Sequence, residues 1–261
     1  MVAVKSPQEI ELLAEAGELL GSMLSTLVGK AIVGETGKNL DTLAQDIMKK
    51  HGAIPVFLGY GNPPYPAAIC VSVNDQVVHG IPNDTPFKEG DVVSIDAGLS
   101  LYGLIVDSAR TVGVGSVSAQ HKKLIAVTKQ ALELGIAQAV VGNRTGDIGH
   151  AVQVYVEDNG FEVVRALVGH GDGYELHEDP QVPNIGSRGA ATALLEGMVI
   201  AIEPMVTISS PDVVTSKDNW SIIATSGKAA AHEEHTIAIT KDGPRILTAP
   251  PPLPAAQAGA S

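Results

Sequence analysis

One amphipathic pattern occurs twice in this chain, 108 residues apart. Leu40, Leu43, Ala44, Ile47 and Met48 mark the apolar face of a helix that stops at Gly52. Ile148, Ala151, Val152, Tyr155 and Val156 mark the same face of a second helix, which stops at Gly160. The offset of 108 holds from Leu40 to Ile148, from Ile47 to Tyr155 and from Gly52 to Gly160, and Gly34 and Gly142 share it. A helix precedes each copy. The first opens at Ser6-Pro7-Gln8-Glu9, a capping box with Pro in the first turn, carries Ile10, Leu13, Ala14 and Gly17, and fades before Gly29. The second runs from about Ala119 to Val141. The chain therefore reads as a duplication, with halves of about 5–117 and 118–248 forming one domain over 1–248. Between the helices, short apolar strands alternate with Gly, Pro, Asn and Asp turns, as at Ile69–Val73, Val77–Val78, Val92–Ile95 and Thr236–Ile239. Strands this close in sequence favour hairpins over βαβ units. The fold class is α+β: a curved, largely antiparallel sheet with helices packed outside. The Pro/Ala-rich tail, 249–261, reads as disordered.

Four carboxylates interrupt these apolar runs. Asp96 lies in Val92-Val93-Ser94-Ile95-Asp96, Asp107 follows Leu104-Ile105-Val106, Glu203 ends Val199-Ile200-Ala201-Ile202-Glu203, and Glu234 precedes Thr236-Ile237-Ala238-Ile239. A buried ionised carboxylate is costly unless a cation or hydrogen bonds answer it. Only Arg110 lies near any of them in sequence. A single such acid could be a core carboxylate held by backbone N–H groups. Four of them, with His170 in the Gly-rich turn Gly169-His170-Gly171-Asp172-Gly173, make a hard, oxygen-rich site with enough ligands for two divalent ions. The acids fall in both halves, which places the site at the seam. Taken alone, a histidine of the Gly169–Pro180 stretch (His170 or His177), and likewise His79, reads more often as a satisfied polar residue than as a ligand. With only 3% aromatics, Tyr60, Tyr65 and Trp220 near Gly/Pro-rich loops are either packing or the lining of an apolar pocket. Gly113-Val114-Gly115 lacks the third glycine of a nucleotide loop.

The 261 residues carry a formal net charge of −12, which disfavours nucleic acid and anionic membranes as partners. One cysteine rules out an internal disulfide and suits a reducing cytoplasm. The N-terminus lacks the features of a signal peptide, and no run approaches the roughly 18 apolar residues of a membrane span.

The motifs Val78-His79-Gly80-Ile81-Pro82, Ser94-Ile95-Asp96-Ala97-Gly98, Asp107-Ser108-Ala109-Arg110-Thr111, Gly169-His170-Gly171, His177-Glu178-Asp179-Pro180, Ile202-Glu203-Pro204-Met205 and Glu234-His235-Thr236 resemble, in order and spacing, the type I methionine aminopeptidases. The resemblance spans about residues 5–248. It implies the pita-bread fold and removal of the initiator methionine when the second residue is small. It implies two divalent ions (Co, Mn or Fe, with Zn or Ni as further candidates). In that pattern Asp107 and Glu234 are shared ligands, His170 and Glu203 complete one position, and Asp96 holds the second ion. Glu203 is the general base, His177 stabilises the oxyanion and His79 contacts the scissile amide nitrogen. The methionine pocket draws on Phe57, Tyr60, Tyr65, Cys70, Leu176 and Trp220, with Cys70 a wall rather than a nucleophile. The implied partners are nascent polypeptide N-termini, with ribosome association allowed, no DNA and no membrane, for a cytoplasmic monomer.

The chain departs from the family at three places. Gly59–Pro66 is longer than the usual turn, Ile105-Val106 replaces a small or polar pair, and Asp172 stands where an apolar residue is common and adds negative charge near the site. Two alternatives are an X-Pro aminopeptidase or prolidase-like enzyme, which usually has an extra N-terminal domain, and a non-catalytic peptide-binding module on the same fold, which would have lost its ligands.

Overall fold

The computed structural model describes residues 2–249. The expected disordered tail, apart from its first residue, lies outside these. Helices α1 (Pro7–Lys30) and α2 (Gly37–Lys50) come first, then strands β1 (Ile54–Pro55), β2 (Ile69–Val73), β3 (Gln76–Val78), β4 (Val92–Leu101) and β5 (Leu104–Gly113). Helices α3 (Ala119–Ala137) and α4 (Thr145–Asp158) follow, then β6 (Glu162–Val163), β7 (Val168–Gly171), β8 (Glu178–Pro183), β9 (Val199–Ile202), β10 (Met205–Thr207) and β11 (Val213–Thr215). The chain continues through β12 (Ile222–Ala224), β13 (Ala230–His232), β14 (His235–Thr240) and β15 (Gly243–Ile246).

The offset of 108 seen in the sequence is present in the elements. It relates α2 to α4 at both ends and β1 to β6. Gly34 and Gly142 both adopt positive φ, as do Gly52 and Gly160. Thr36 and Arg144, which precede the paired helices, each form an isolated bridge, to Pro86 and to Ala193. The capping differs in detail. Thr36 Oγ1 accepts from Asn39 N, whereas the Asp147 carboxylate accepts from Arg144 N.

Every strand pairing among the described residues is antiparallel, but the strands form four separate sheets rather than one. One sheet belongs to the first half (β1-β4-β2 with β5 on β4), and one five-stranded sheet to the second (β15-β14-β9-β7-β8). They meet where β5 approaches β14: Asp107 N donates to Thr236 Oγ1, Ser108 Oγ donates to Glu234 O, and Glu234 N donates to Ala109 O. The largest apolar cluster packs α1 and α2 onto β2, β4 and β5 through Leu13, Leu20, Leu24, Leu40, Ile69, Ile95 and Leu99.

Three boundaries differ from expectation. Helix α1 continues through Gly29 to Lys30, because Leu24 and Leu27 still face the core there. Helix α3 stops at Ala137, short of Val141. Strand β4 runs to Leu101, because Tyr102 and Gly103, both at positive φ, make the tight turn into β5. Helix α1 also corrects the expectation about apolar length. By length and composition it could cross a bilayer, but 44% of its apolar window is buried inside the molecule, against the sheet.

Candidate metal centre

The β4–β5 hairpin decides where the first two acids point. Its register sets Gly98 opposite Asp107 and Asp96 opposite Ala109. Asp96 and Asp107 thus share one face as diagonal neighbours, because side chains alternate along each strand. The other two acids sit at breaks between strands rather than within them: Glu203 between β9 and β10, and Glu234 between β13 and β14. His170 is on strand β7, not in a turn. The glycines that flank it are required by neighbouring backbone. A Cβ at Gly169 would lie 2.3 Å from Ala201 O, and one at Gly171 would lie 2.3 Å from Asp179 O. Gly169→Ala is therefore expected to cost about 1–3 kcal/mol by overpacking. Chemical denaturation would show this as a lowered midpoint, and an unchanged midpoint would contradict the close sheet contact.

All five candidate ligands line one cavity, together with His79, His177, Phe57, Tyr60, Tyr65, Cys70, Leu176 and Trp220. Ligand atoms of Asp107, His170 and Glu234 lie within 4.8 Å of one another. Asp96 Oδ1, Asp107 Oδ1 and Glu234 Oε1 are buried and have no hydrogen-bond partner. The nearest guanidinium does not answer them, since Arg110 donates to the backbone oxygens of Ala109 (2.9 Å) and Glu234 (2.8 Å). Burial pushes all four carboxyls up, and repulsion from neighbouring carboxylates adds to it at Asp96, Asp107 and Glu234. Asp107 rises to about 7 through burial and then Glu203, and Glu203 to about 8 through burial. Asp96 rises through burial and Asp107, and Glu234 through burial, Asp107 and Glu203. A bound dication removes this penalty and supplies the missing partners. His170 is prepared in the same sense. Its Nδ1–H donates to Gly171 O at 2.9 Å, burial lowers its pKa to about 4, and Nε2, 3.5 Å from Glu203 Oε1, is left with an unprotonated lone pair free to ligate a metal. The residues present fit a divalent metal centre.

Around the cluster, His79 adopts φ 58°, sits edge-on to Trp220 at 6.3 Å, and is held near pKa 4 by burial. His177 stands at the rim, 4.5 Å ring to ring from His170. Its loop is fixed by a buried ion pair, Lys5 Nζ to Glu178 Oε2 at 2.6 Å. Phe57, Tyr65, Cys70 and Leu176 pack with Ile105 and Trp220 into one apolar cluster. The departure at Ile105-Val106 is thus divided: Ile105 joins this pocket, and Val106 joins the main core. Asp172 is fully buried, accepts from Thr236 Oγ1 and Gly173 N, and is pushed up by burial and by Asp107.

The sequence reading missed His232. Its imidazole is 2% exposed, neither ring nitrogen has a hydrogen-bond partner, and Nε2 lies 3.5 Å from Glu203 Oε2 and 4.0 Å from Glu234 Oε2. Glu203 is thus flanked by an imidazole at each oxygen. The only signal was its place two residues ahead of Glu234.

A buried cage of carboxylates and imidazoles beneath an apolar wall defines a metal-dependent hydrolase. The comparisons give the same class. Residues 11–241 match the model of metallopeptidase family M24. A methionine aminopeptidase of Clostridium perfringens is 48% identical over 249 residues, covering 95% of this chain and 99% of that protein. The crystal structure of a methionine aminopeptidase from Thermotoga maritima superposes with a TM-score of 0.93 at 44% identity, over 95% of this chain and all of that one. The chain belongs to metallopeptidase family M24 and, within it, to the methionine aminopeptidases. Prolidase from Pyrococcus furiosus, at 23% identity and a TM-score of 0.76, shares the fold, and the match covers 65% of that chain.

Proposed function

We propose that this chain removes the N-terminal methionine of polypeptides whose second residue is small, using two divalent ions, with Mn, Fe or Co favoured. The observation that carries the reading is the meeting, in one cavity, of buried carboxylates with unpartnered oxygens and an aromatic, apolar wall. Asp107 and Glu234 would be shared by the ions, His170 and Glu203 would complete one position, and Asp96 the other. When bound, the ions supply Lewis acidity, which polarises a carbonyl and makes water nucleophilic at neutral pH.

The chain's own groups do the rest. The Glu203 carboxylate takes the proton of the attacking water and returns it to the leaving amine. His177, through Nε2–H, donates to the oxyanion that develops on the scissile carbonyl. His79 holds the scissile amide nitrogen. The methionine side chain lies among Phe57, Tyr65, Cys70, Leu176 and Trp220, where an unbranched, polarisable thioether fits an apolar slot. Cys70 stays a wall, since burial and then Asp96 push its thiol well up and away from thiolate. The single buried cysteine and the charge of −12 support a cytoplasmic setting and polypeptide partners rather than nucleic acid.

A panel of Met-X-Ser peptides tests this reading. Release is expected for Ala, Gly and Ser at the second position, with a drop of at least about tenfold for Leu. Trp220→Ala should lower kcat/KM for Met-Ala-Ser by about tenfold, the scale of one lost aromatic contact. An unchanged value removes Trp220 from the pocket. Efficient release of N-terminal Ala, or preference for Pro at the second position, moves the chain to the X-Pro reading.

A further inference from the structure

We propose that Tyr60 is a positioning residue that fixes the tautomer of His177, leaving the proton on Nε2 where the reaction needs a donor. This rests on the reading of His177 as the oxyanion donor. The segment from Phe57 to Tyr65 folds back on itself: Tyr60 N donates to Phe57 O (2.9 Å), Gly59 N to Tyr65 O (2.8 Å), and Tyr65 N to Tyr60 O (2.8 Å). Gly59 and Gly61 take positive φ, and Gly61 lies so close under Trp220 that a Cβ there would be 2.5 Å from its ring. Tyr65 anchors the other end, donating to Gly80 O at 2.9 Å and meeting Trp220 edge-on at 5.1 Å.

Tyr60 stands where this loop closes, its backbone bonded to both Phe57 and Tyr65. Its Oη lies 2.6 Å from His177 Nδ1, across 117 residues of sequence, with the rings 5.3 Å apart. A neutral imidazole has one N–H and one acceptor nitrogen, and the partner of one nitrogen decides the state of the other. A phenol is a strong donor and a weak acceptor, whereas an unprotonated imidazole nitrogen is a strong acceptor. The short bond is therefore made with Tyr60 donating to Nδ1, which places the ring proton on Nε2. The reverse bond would leave Nε2 a lone pair, which cannot stabilise an oxyanion. The lengthened Gly59–Pro66 loop thus carries a hydroxyl to the back of the histidine, in addition to lining the pocket.

Tyr60→Phe keeps the ring and removes the hydroxyl. In Mn(II)-loaded enzyme, kcat for Met-Ala-Ser should fall about tenfold, with KM within about twofold. In the His177→Ala background the same substitution should change kcat no further, because the two residues act as one unit. Long-range 15N NMR of Zn(II)-loaded enzyme, with His177 assigned through His177→Gln, should show the Nε2–H tautomer in wild type and a mixture in Tyr60→Phe. An unchanged kcat, an equal loss in both backgrounds, or an unchanged tautomer overturns the proposal. If His177→Ala alone leaves kcat intact, the oxyanion reading itself fails, an outcome separate from a failure of Tyr60.

Discussion

Enzyme stripped by exhaustive chelation is expected to release no methionine, a loss of about 10³-fold or more, and to recover with Mn(II), Fe(II) or Co(II). The size follows from the several kcal/mol of charge stabilisation that a metal ion supplies at about 1.4 kcal/mol per tenfold. The cause is visible in the site: one oxygen each of Asp96, Asp107 and Glu234 is buried without a hydrogen-bond partner, and Arg110 is engaged by backbone carbonyls. The same ions should raise Tm, because they bind the folded chain and answer its crowded carboxylates. Full activity with metal absence confirmed by elemental analysis would refute the metal centre.

Glu203→Gln is the second large effect. Its amide keeps the shape but cannot take a proton, so kcat should fall about 10²–10⁴-fold while KM changes little. Burial holds the Glu203 carboxyl at about 8, and its two oxygens face His170 and His232 at 3.5 Å each. Because Glu203 also belongs to the ligand set, metal content must be measured on the same preparation. A kcat within about threefold of wild type at full metal occupancy would remove Glu203 from proton transfer.

Local patterns account for what was legible in the sequence. The helix faces at Leu40–Met48 and Ile148–Val156 gave the duplication, and the structure carries it down to α2 and α4. The acids in apolar runs marked the cluster, since burying a lone charge demands a partner. Where strand pairing decides, the sequence was silent. His232 enters the site only because β13 pairs with β10, setting it opposite Met205. No spacing rule relates it to Glu203. The full β4–β5 hairpin depends on Tyr102-Gly103, a turn that the apolar pattern does not mark. The contact of Tyr60 with His177 joins segments 117 residues apart and needs the closed loop to form first.

The most direct test is a one-pot competition on metal-loaded enzyme between Met-Ala-Ser and an Ala-Pro peptide, with released amino acids quantified by mass spectrometry. Methionine release alone is expected, abolished by chelation and restored by Mn(II). Release of alanine from the Ala-Pro peptide in preference to methionine, or methionine release that survives chelation, would contradict it.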